Sequence, residues 1–207
     1  MKYKDKLLII GAGGHGKVVA DVAIKMNCWK SIQFLDDNHS LKQALGLDVI
    51  GNTSEYLNFI DEYDLFIGIG NNAIRNKLHK ILERNKASIP VLIHPSSIIA
   101  NEVNIERGTV IMAGTVINSS TKIGKGCIIN TGSTIDHDNN IEDFVHISPG
   151  VHVAGNVNIG KSSWLGIGSI IKNNVNITHN CIVGAGGVVI DDLFSSGKYV
   201  GVPVRRI

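Results

Sequence analysis

Cysteine, aromatic side chains, charge of one sign and long apolar runs are all scarce in this 207-residue chain. The three cysteines, Cys28, Cys127 and Cys181, lie far apart and form no C-x-x-C pair. They exclude a disulfide framework and point to buried, reduced thiols in a cytoplasmic protein. Aromatic residues make up 5% of the chain, few enough to suit a core filled by Ile and Val. The formal net charge is +2 and no basic run stands out, so no nucleic-acid partner is expected. No apolar stretch is long enough to span a bilayer, and Met1–Leu8 does not read as a secretory leader. Against these absences stand 43% hydrophobic and 18% charged residues, the balance of a globular protein with a real core. The length leaves room for one large or two small domains.

The strongest pattern is a period of six from Ile93 to Val189. It passes through Ile99, Ile105, Ile111, Ile117, Ile123, Ile129, Ile135, Ile141, Ile147, Val153, Ile159, Leu165, Ile171, Ile177 and Val183. Every position in that register is Ile, Leu or Val, although such residues are about three in ten of the chain. Chance would give that run on the order of one time in a billion. Four residues after each anchor comes a small or β-branched residue, such as Thr115, Thr121, Cys127, Ser133 and Val145, and Asn139 alone looks out of place. Neither a helix, with period 3.6, nor a strand, with period 2, produces this. A short strand and a turn repeated every six residues do, which predicts a parallel β-helix of about five coils.

The first ninety residues read differently. Lys6–Ile10 is a short apolar run, followed by Gly11-Ala12-Gly13-Gly14-His15-Gly16 and a helical pattern over Lys17–Met26. Strand, glycine turn and helix form the context in which backbone N–H groups and a helix N-terminus approach phosphate. Ser31–Leu35 is a second strand ending in Asp36-Asp37, where an acid can reach a ribose hydroxyl. Asp64–Ile69 is a third, closing on the turn Gly70-Asn71-Asn72, with a helix over Ala73–Asn85. Val18 stands where a P-loop needs Ser or Thr, which excludes an NTPase. The expected division is therefore an α/β, Rossmann-like βαβ domain over 1–90 and an all-β helix with a short tail over 91–207. The first is a mononucleotide-sized half fold, better suited to a nucleotide carrying a substituent than to NAD.

Within the repeat, His137 falls on a hexad position that points away from the core. Asp136 and Asp138 flank it, and Asn130 lies about one hexad back. Residues eighteen apart stack on successive coils, so Gly155 lies above His137 and is expected to leave a gap for an acyl group. His146, half a coil on, does not share a face with His137 of the same chain, but it can meet one on a neighbouring subunit. A zinc site is not expected, because His146 and His152 fall on adjacent faces.

These stretches together, Gly11–Lys17, Phe34–Asp37, Phe66–Asn72, Asn130–Asp138, Phe144–Gly150 and Gly201–Arg206, resemble the PglD-type sugar-nucleotide N-acetyltransferases. Those enzymes stand within a broader group that includes NeuD-like sialic acid O-acetyltransferases. The resemblance implies a left-handed parallel β-helix and a homotrimer with acetyl-CoA between subunits. It implies that Gly13, Gly14, His15, Asp36, Asp37 and Gly70 hold a UDP-amino sugar. His137 is then the general base, oriented by Asp138 where relatives carry Glu. His146, Gly155, Ile167 and Ala185, the last replacing a Gly, line the acetyl-CoA. The implied reaction is N-acetylation of a UDP-4-amino-4,6-dideoxy sugar for surface glycan or exopolysaccharide, with no metal and no membrane insertion. The alternatives are O-acetylation of sialic acid or another sugar hydroxyl, N-acetylation of a GDP-amino sugar, and a nucleotide-binding scaffold whose repeat is only structural.

Overall fold

The architecture is that of a computed structural model, which describes residues 3–207. Met1 and Lys2, where the expected first domain begins, lie outside the described residues. Two compact units meet in sequence between Pro95 and Ser96.

The first unit is built on a three-stranded parallel sheet. Strand β1 (Lys6–Ile10) is central, flanked by β2 (Ser31–Leu35) and β3 (Tyr63–Ile67). Leu7, Leu8, Ile9 and Ile10 are all fully buried, as a continuous apolar run requires when both faces of a parallel strand are covered. Helix α1 (Gly14–Met26) buries Val19, Ala20, Val22 and Ala23, and α2 (Asn72–Arg84) buries Leu82. Leu8, Ile10, Leu35, Leu65 and Leu82 share one core. Because β1 and β3 pair in parallel, their carboxyl ends place the turns Gly11–Gly14 and Gly68–Gly70 side by side, with the Gly68 amide donating to the Ile10 carbonyl at 2.8 Å. Ligands of open parallel sheets gather at such carboxyl ends.

The second unit is a β-solenoid. Residues eighteen apart pair in register: Thr134 with His152, Asn140 with Asn158, His146 with Trp164. A first face stacks six two-residue strands from Ile98–Ile99 to Val188–Val189. A second stacks five, from Asn104–Ile105 to Asn176–Ile177. The third includes the strands from Val110–Ile111 to Cys181–Val183 and is extended by Gly197–Gly201 and, antiparallel to it, Val204–Arg206. The stack is thus about six coils against the five expected: the hexad register alone places six strands on the first face, and Gly197–Gly201 adds a further rung to the third.

Each corner turns through one residue with positive φ, and from Glu102 to Gly186 these recur every six residues, including Gly132, Asp138, Gly150, Asn156 and Gly168. The left-handed region favours Gly and Asn, with Asp also enriched, which explains the spacing of those types in the repeat. From Ile111 onward every anchor is buried, and so is every slot residue four positions later. No helix among the described residues is long and apolar enough to cross a membrane.

Candidate active site

His137 sits on the corner between the first and second faces, in the turn from Asp136 to Asn139. Its side chain is exposed, and its Nδ1 lies 2.7 Å from Asp138 Oδ2. Asp138 occupies the positive-φ position, φ 57°, so the backbone turns sharply enough for a short carboxylate to reach the preceding imidazole. Asp reaches here without the extra methylene of Glu.

Asp136 supplies a second carboxylate. Its Oδ1 accepts from the His137 amide at 3.0 Å and from Asn118 Nδ2, one coil below, at 2.8 Å. The Asn118 hydrogen bond is the main cause that lowers the Asp136 pKa, keeping it ionised. The His137 pKa is raised above the ordinary histidine value, first by the hydrogen bond to Asp138 and then by the Asp136 charge, against a small opposing desolvation. A carboxylate on Nδ1 fixes the tautomer with its proton there and leaves Nε2 as the basic nitrogen.

Gly155 lies above His137, as residues eighteen apart should, but no gap separates them. A Cβ built on Gly155 falls 2.7 Å from His137 Cε1 and 2.8 Å from Nε2. The imidazole itself fills the space that the missing side chain leaves, correcting the expected acyl-sized void. Gly155 therefore sets where the ring lies.

The other residues expected at the cofactor are spread over the solenoid. Ile167 and Ala185 share the corner between the third and first faces, joined through the Gly186 amide bonded to the Ile167 carbonyl at 2.9 Å. That is the opposite edge of the first face from His137 and Gly155. His146 is on the third face, stacked on Trp164 with ring centroids 5.6 Å apart and an interplanar angle of 7°. Its Nε2 is 3.4 Å from Asn130 Nδ2, and the Trp164 indole N–H donates to Ser148 Oγ. One chain thus brings His137, Asp138 and Gly155 together, and separately places His146 near the Ile167 corner. Among the described residues, no three His, Cys, Asp or Glu side chains gather as a metal would need.

In the first unit the glycines divide into two sets. Gly11, Gly16 and Gly68 are required by internal packing: a Cβ on Gly16 would lie 1.9 Å from the Gly11 carbonyl oxygen. At Gly13, Gly14 and Gly70 a Cβ would meet nothing within 4 Å. Helix α1 starts at Gly14 with no side-chain cap from Gly13 and no acid in its first turn. Such an open N-terminus offers backbone donors and a favourable dipole to an anion.

His15, half-buried in that first turn, has its pKa pushed down to about 4, chiefly by desolvation and then by the Arg75 charge. It is neutral near pH 7. Arg75 is itself buried and donates to the carbonyls of Ile69 and Gly70 and to Asn72 Oδ1. It thereby shapes the second glycine turn.

The two acids differ. Asp36 Oδ2 accepts from the Ala12 amide at 2.7 Å, tying the end of β2 to the glycine turn, and its Oδ1 accepts from the Asn38 amide. Asp37 turns to the Thr53 amide and hydroxyl at 3.0 and 2.8 Å, capping a short 3-10 helix. A concavity of about 200 Å³ beside Asp36 is lined by Asn38, His39, Lys42 and Asn52. No periodicity or motif in the sequence singles these out. Arg75 and Asn118 were equally unmarked, because their roles depend on pairing across the chain.

The chain matches the PglD N-terminal domain family over residues 6–82 and the bacterial transferase hexapeptide (six repeats) family over 102–137. UDP-N-acetylbacillosamine N-acetyltransferase of Bacillus subtilis (strain 168) is 35% identical over 108 residues. That match spans about half of each protein, 51% of this chain and 50% of the relative. The acetyltransferase domain of PglB from Neisseria gonorrhoeae FA1090, solved in complex with acetyl coenzyme A, is 35% identical with a TM-score of 0.95. The superposition covers 99% of this chain and 100% of that domain. PerB from Caulobacter crescentus, solved with CoA and GDP-perosamine, is 34% identical with a TM-score of 0.91, covering 98% of this chain and 97% of that one.

Proposed function

We propose a function on one premise: the chain belongs to the PglD-like family of hexapeptide-repeat acetyltransferases. On that footing it is an acetyl-CoA-dependent N-acetyltransferase acting on the 4-amino group of a UDP-4-amino-4,6-dideoxy sugar. The product would feed bacterial surface glycan or exopolysaccharide synthesis, and we assign the enzyme to the cytoplasm. The observation that carries the reading is the His137–Asp138 pair, with Nε2 left as a base against a glycine-floored coil.

The chemistry follows from those residues. The neutral amine attacks the acetyl carbonyl carbon while its proton passes to His137 Nε2. Asp138 and Asp136 stabilise the imidazolium that forms. A backbone N–H near Gly155 is our candidate donor to the tetrahedral oxyanion. The C–S bond then breaks, and the departing thiolate takes the proton back from His137. Neither Cys127 nor Cys181 is accessible for a covalent intermediate, since both are fully buried.

Gly13, Gly14, Gly70, His15 and Asp36 are assigned to the sugar nucleotide. Their open glycines and uncapped helix end support the assignment. Asp37 acts through Thr53 instead, holding the loop beside them. His146, Ile167 and Ala185 are assigned to acetyl-CoA together with Gly155. Because Gly155 lies across the first face from Ile167 and Ala185, the two groups form one site only when copies associate, which supports a homotrimer with interfacial sites.

A second reading, a GDP-amino sugar, is favoured by the match to PerB across nearly the whole chain. One experiment decides: incubate with acetyl-CoA and a panel of UDP- and GDP-4-amino sugars, following thiol release and N-acetyl product by mass. Turnover of the UDP substrates supports the proposal; turnover of the GDP substrates alone selects the second reading. Release with neither overturns both.

A further inference from the structure

The slot four residues after each anchor holds Ser, Thr, Val, Cys or Gly everywhere from Ser97 to Gly187 except at Asn139. Asn139 is 1% exposed, so a carboxamide stands in the apolar interior, where an amide left without partners is strongly unfavourable. Both ends of the carboxamide are engaged. Its Nδ2 donates to the Asp136 carbonyl at 2.6 Å, its Oδ1 accepts from the Val157 amide at 2.8 Å, and its own amide donates to Thr121 Oγ1 at 3.3 Å.

The slot hydroxyls that accept from the amide eighteen residues on donate forward to the coil above, Thr109 to the Gly124 carbonyl and Ser163 to that of Thr178, whereas Ser133 donates back to the Asn130 carbonyl of its own turn. Thr121 donates forward too, reaching the Asp136 carbonyl at 2.9 Å. The Asp136 carbonyl therefore receives two side-chain donors, Thr121 from below and Asn139 from its own turn. That carbonyl begins the peptide leading into His137. Asn139 also grips Val157, two residues beyond the Gly155 on which the imidazole rests.

We propose that Asn139 is a positioning residue for His137: from inside the solenoid it locks the Asp136 carbonyl, and so holds the turn that presents the His137–Asp138 pair against Gly155. Its importance for turnover rests on the reading of His137 as the base; its effect on the imidazole does not. The charged groups near that ring are Asp136 and Asp138 on its own turn. The coils below and above present Ser119, Ser120, Gly155 and Asn156, none of them ionisable.

The test compares wild type with Asn139→Thr. Thr fits this interior column, since Thr121 occupies it one coil below, and it retains an acceptor for the Val157 amide. Thr109, Thr121 and Ser163, which hold the amide eighteen residues on, all donate forward, so a hydroxyl that holds the Val157 amide gives up the bond back to Asp136. By NMR titration, with His137→Ala used to assign the resonance, His137 should titrate at lower pH in Asn139→Thr, because the pair with Asp138 loosens. kcat should fall about ten-fold, the scale of a small misplacement of a reacting group, while KM for acetyl-CoA holds. An unchanged His137 titration overturns the proposal. So does a loss of kcat that merely follows a loss of folded protein. Should Asn139→Thr not fold, Asn139→Val serves under the same criteria, Val standing in this column at 103, 157 and 175. If wild type transfers no acetyl group, the proposed activity falls, while the titration still decides the role of Asn139.

Discussion

His137 Nδ1 and Asp138 Oδ2 are 2.7 Å apart although the residues are sequence neighbours, a contact that the positive φ of Asp138 permits. Adjacent side chains more often diverge, and here the corner folds them together. The pair raises the imidazole pKa and fixes which nitrogen acts as base. Asp138→Asn should therefore lower turnover less than removing the histidine does. It should also move the acidic limb of the pH–rate profile to lower pH, since a base with a lower pKa is deprotonated sooner as pH rises. A profile and rate that match wild type would leave the orientation of His137 to Asp136 alone.

Gly155→Ala places a methyl group 2.7 Å from the imidazole, so the ring must move off its seat. Turnover should drop by about 10²-fold, the scale associated with misplacing a catalytic group by about 1 Å. The melting temperature should change little, because the displaced ring lies at the surface. Steady-state kinetics and a thermal melt on the same preparation check both halves.

His15 couples acidity to stability. Its folded pKa of about 4 lies below the ordinary histidine value of 6.5, so the unfolded chain takes up the proton first. Stability is intact above pH 6.5 and falls as pH drops from there toward 4, by up to about 3 kcal/mol. His15→Gln should flatten that part of the curve. Urea midpoints between pH 7 and pH 4 measure it, and equal slopes for both proteins would contradict the assignment.

Assembly follows from the two edges of the first face. With Gly155 at one edge and Ile167 and Ala185 at the other, light scattering on active protein should give three times the 22.3 kDa subunit mass. A monomer mass in an active sample would require both edges to serve one cofactor within a single chain.

Much of this was legible in the sequence. The unbroken register from Ile93 to Val189 carries the solenoid, because from Ile111 onward each hexad buries the same two positions and nothing else satisfies a period of six. The exposed place of His137 beside two acids was legible from its hexad position and its neighbours. The role of Asn139 was visible only as an exception to the slot pattern, since its partners at Asp136 and Val157 depend on atoms, not on residue types. The packing of the ring on Gly155 was misread as an empty space for the same reason: stacking by eighteen gives the neighbour, but not the rotamer that fills the gap. Asp37 looked equivalent to Asp36 because adjacent acids at a strand end are indistinguishable until one is seen to cap Thr53.

The central claim is that His137 is the base for acetyl transfer to a sugar-nucleotide amine. Thiol release from acetyl-CoA, measured for wild type and His137→Ala on the best UDP-4-amino sugar, tests it most directly. The account predicts amine-dependent release in wild type and a loss of roughly 10²–10⁴-fold in kcat for the variant, the usual scale for a general base. Acetyl-CoA affinity should be nearly unchanged. Full turnover by His137→Ala would contradict it.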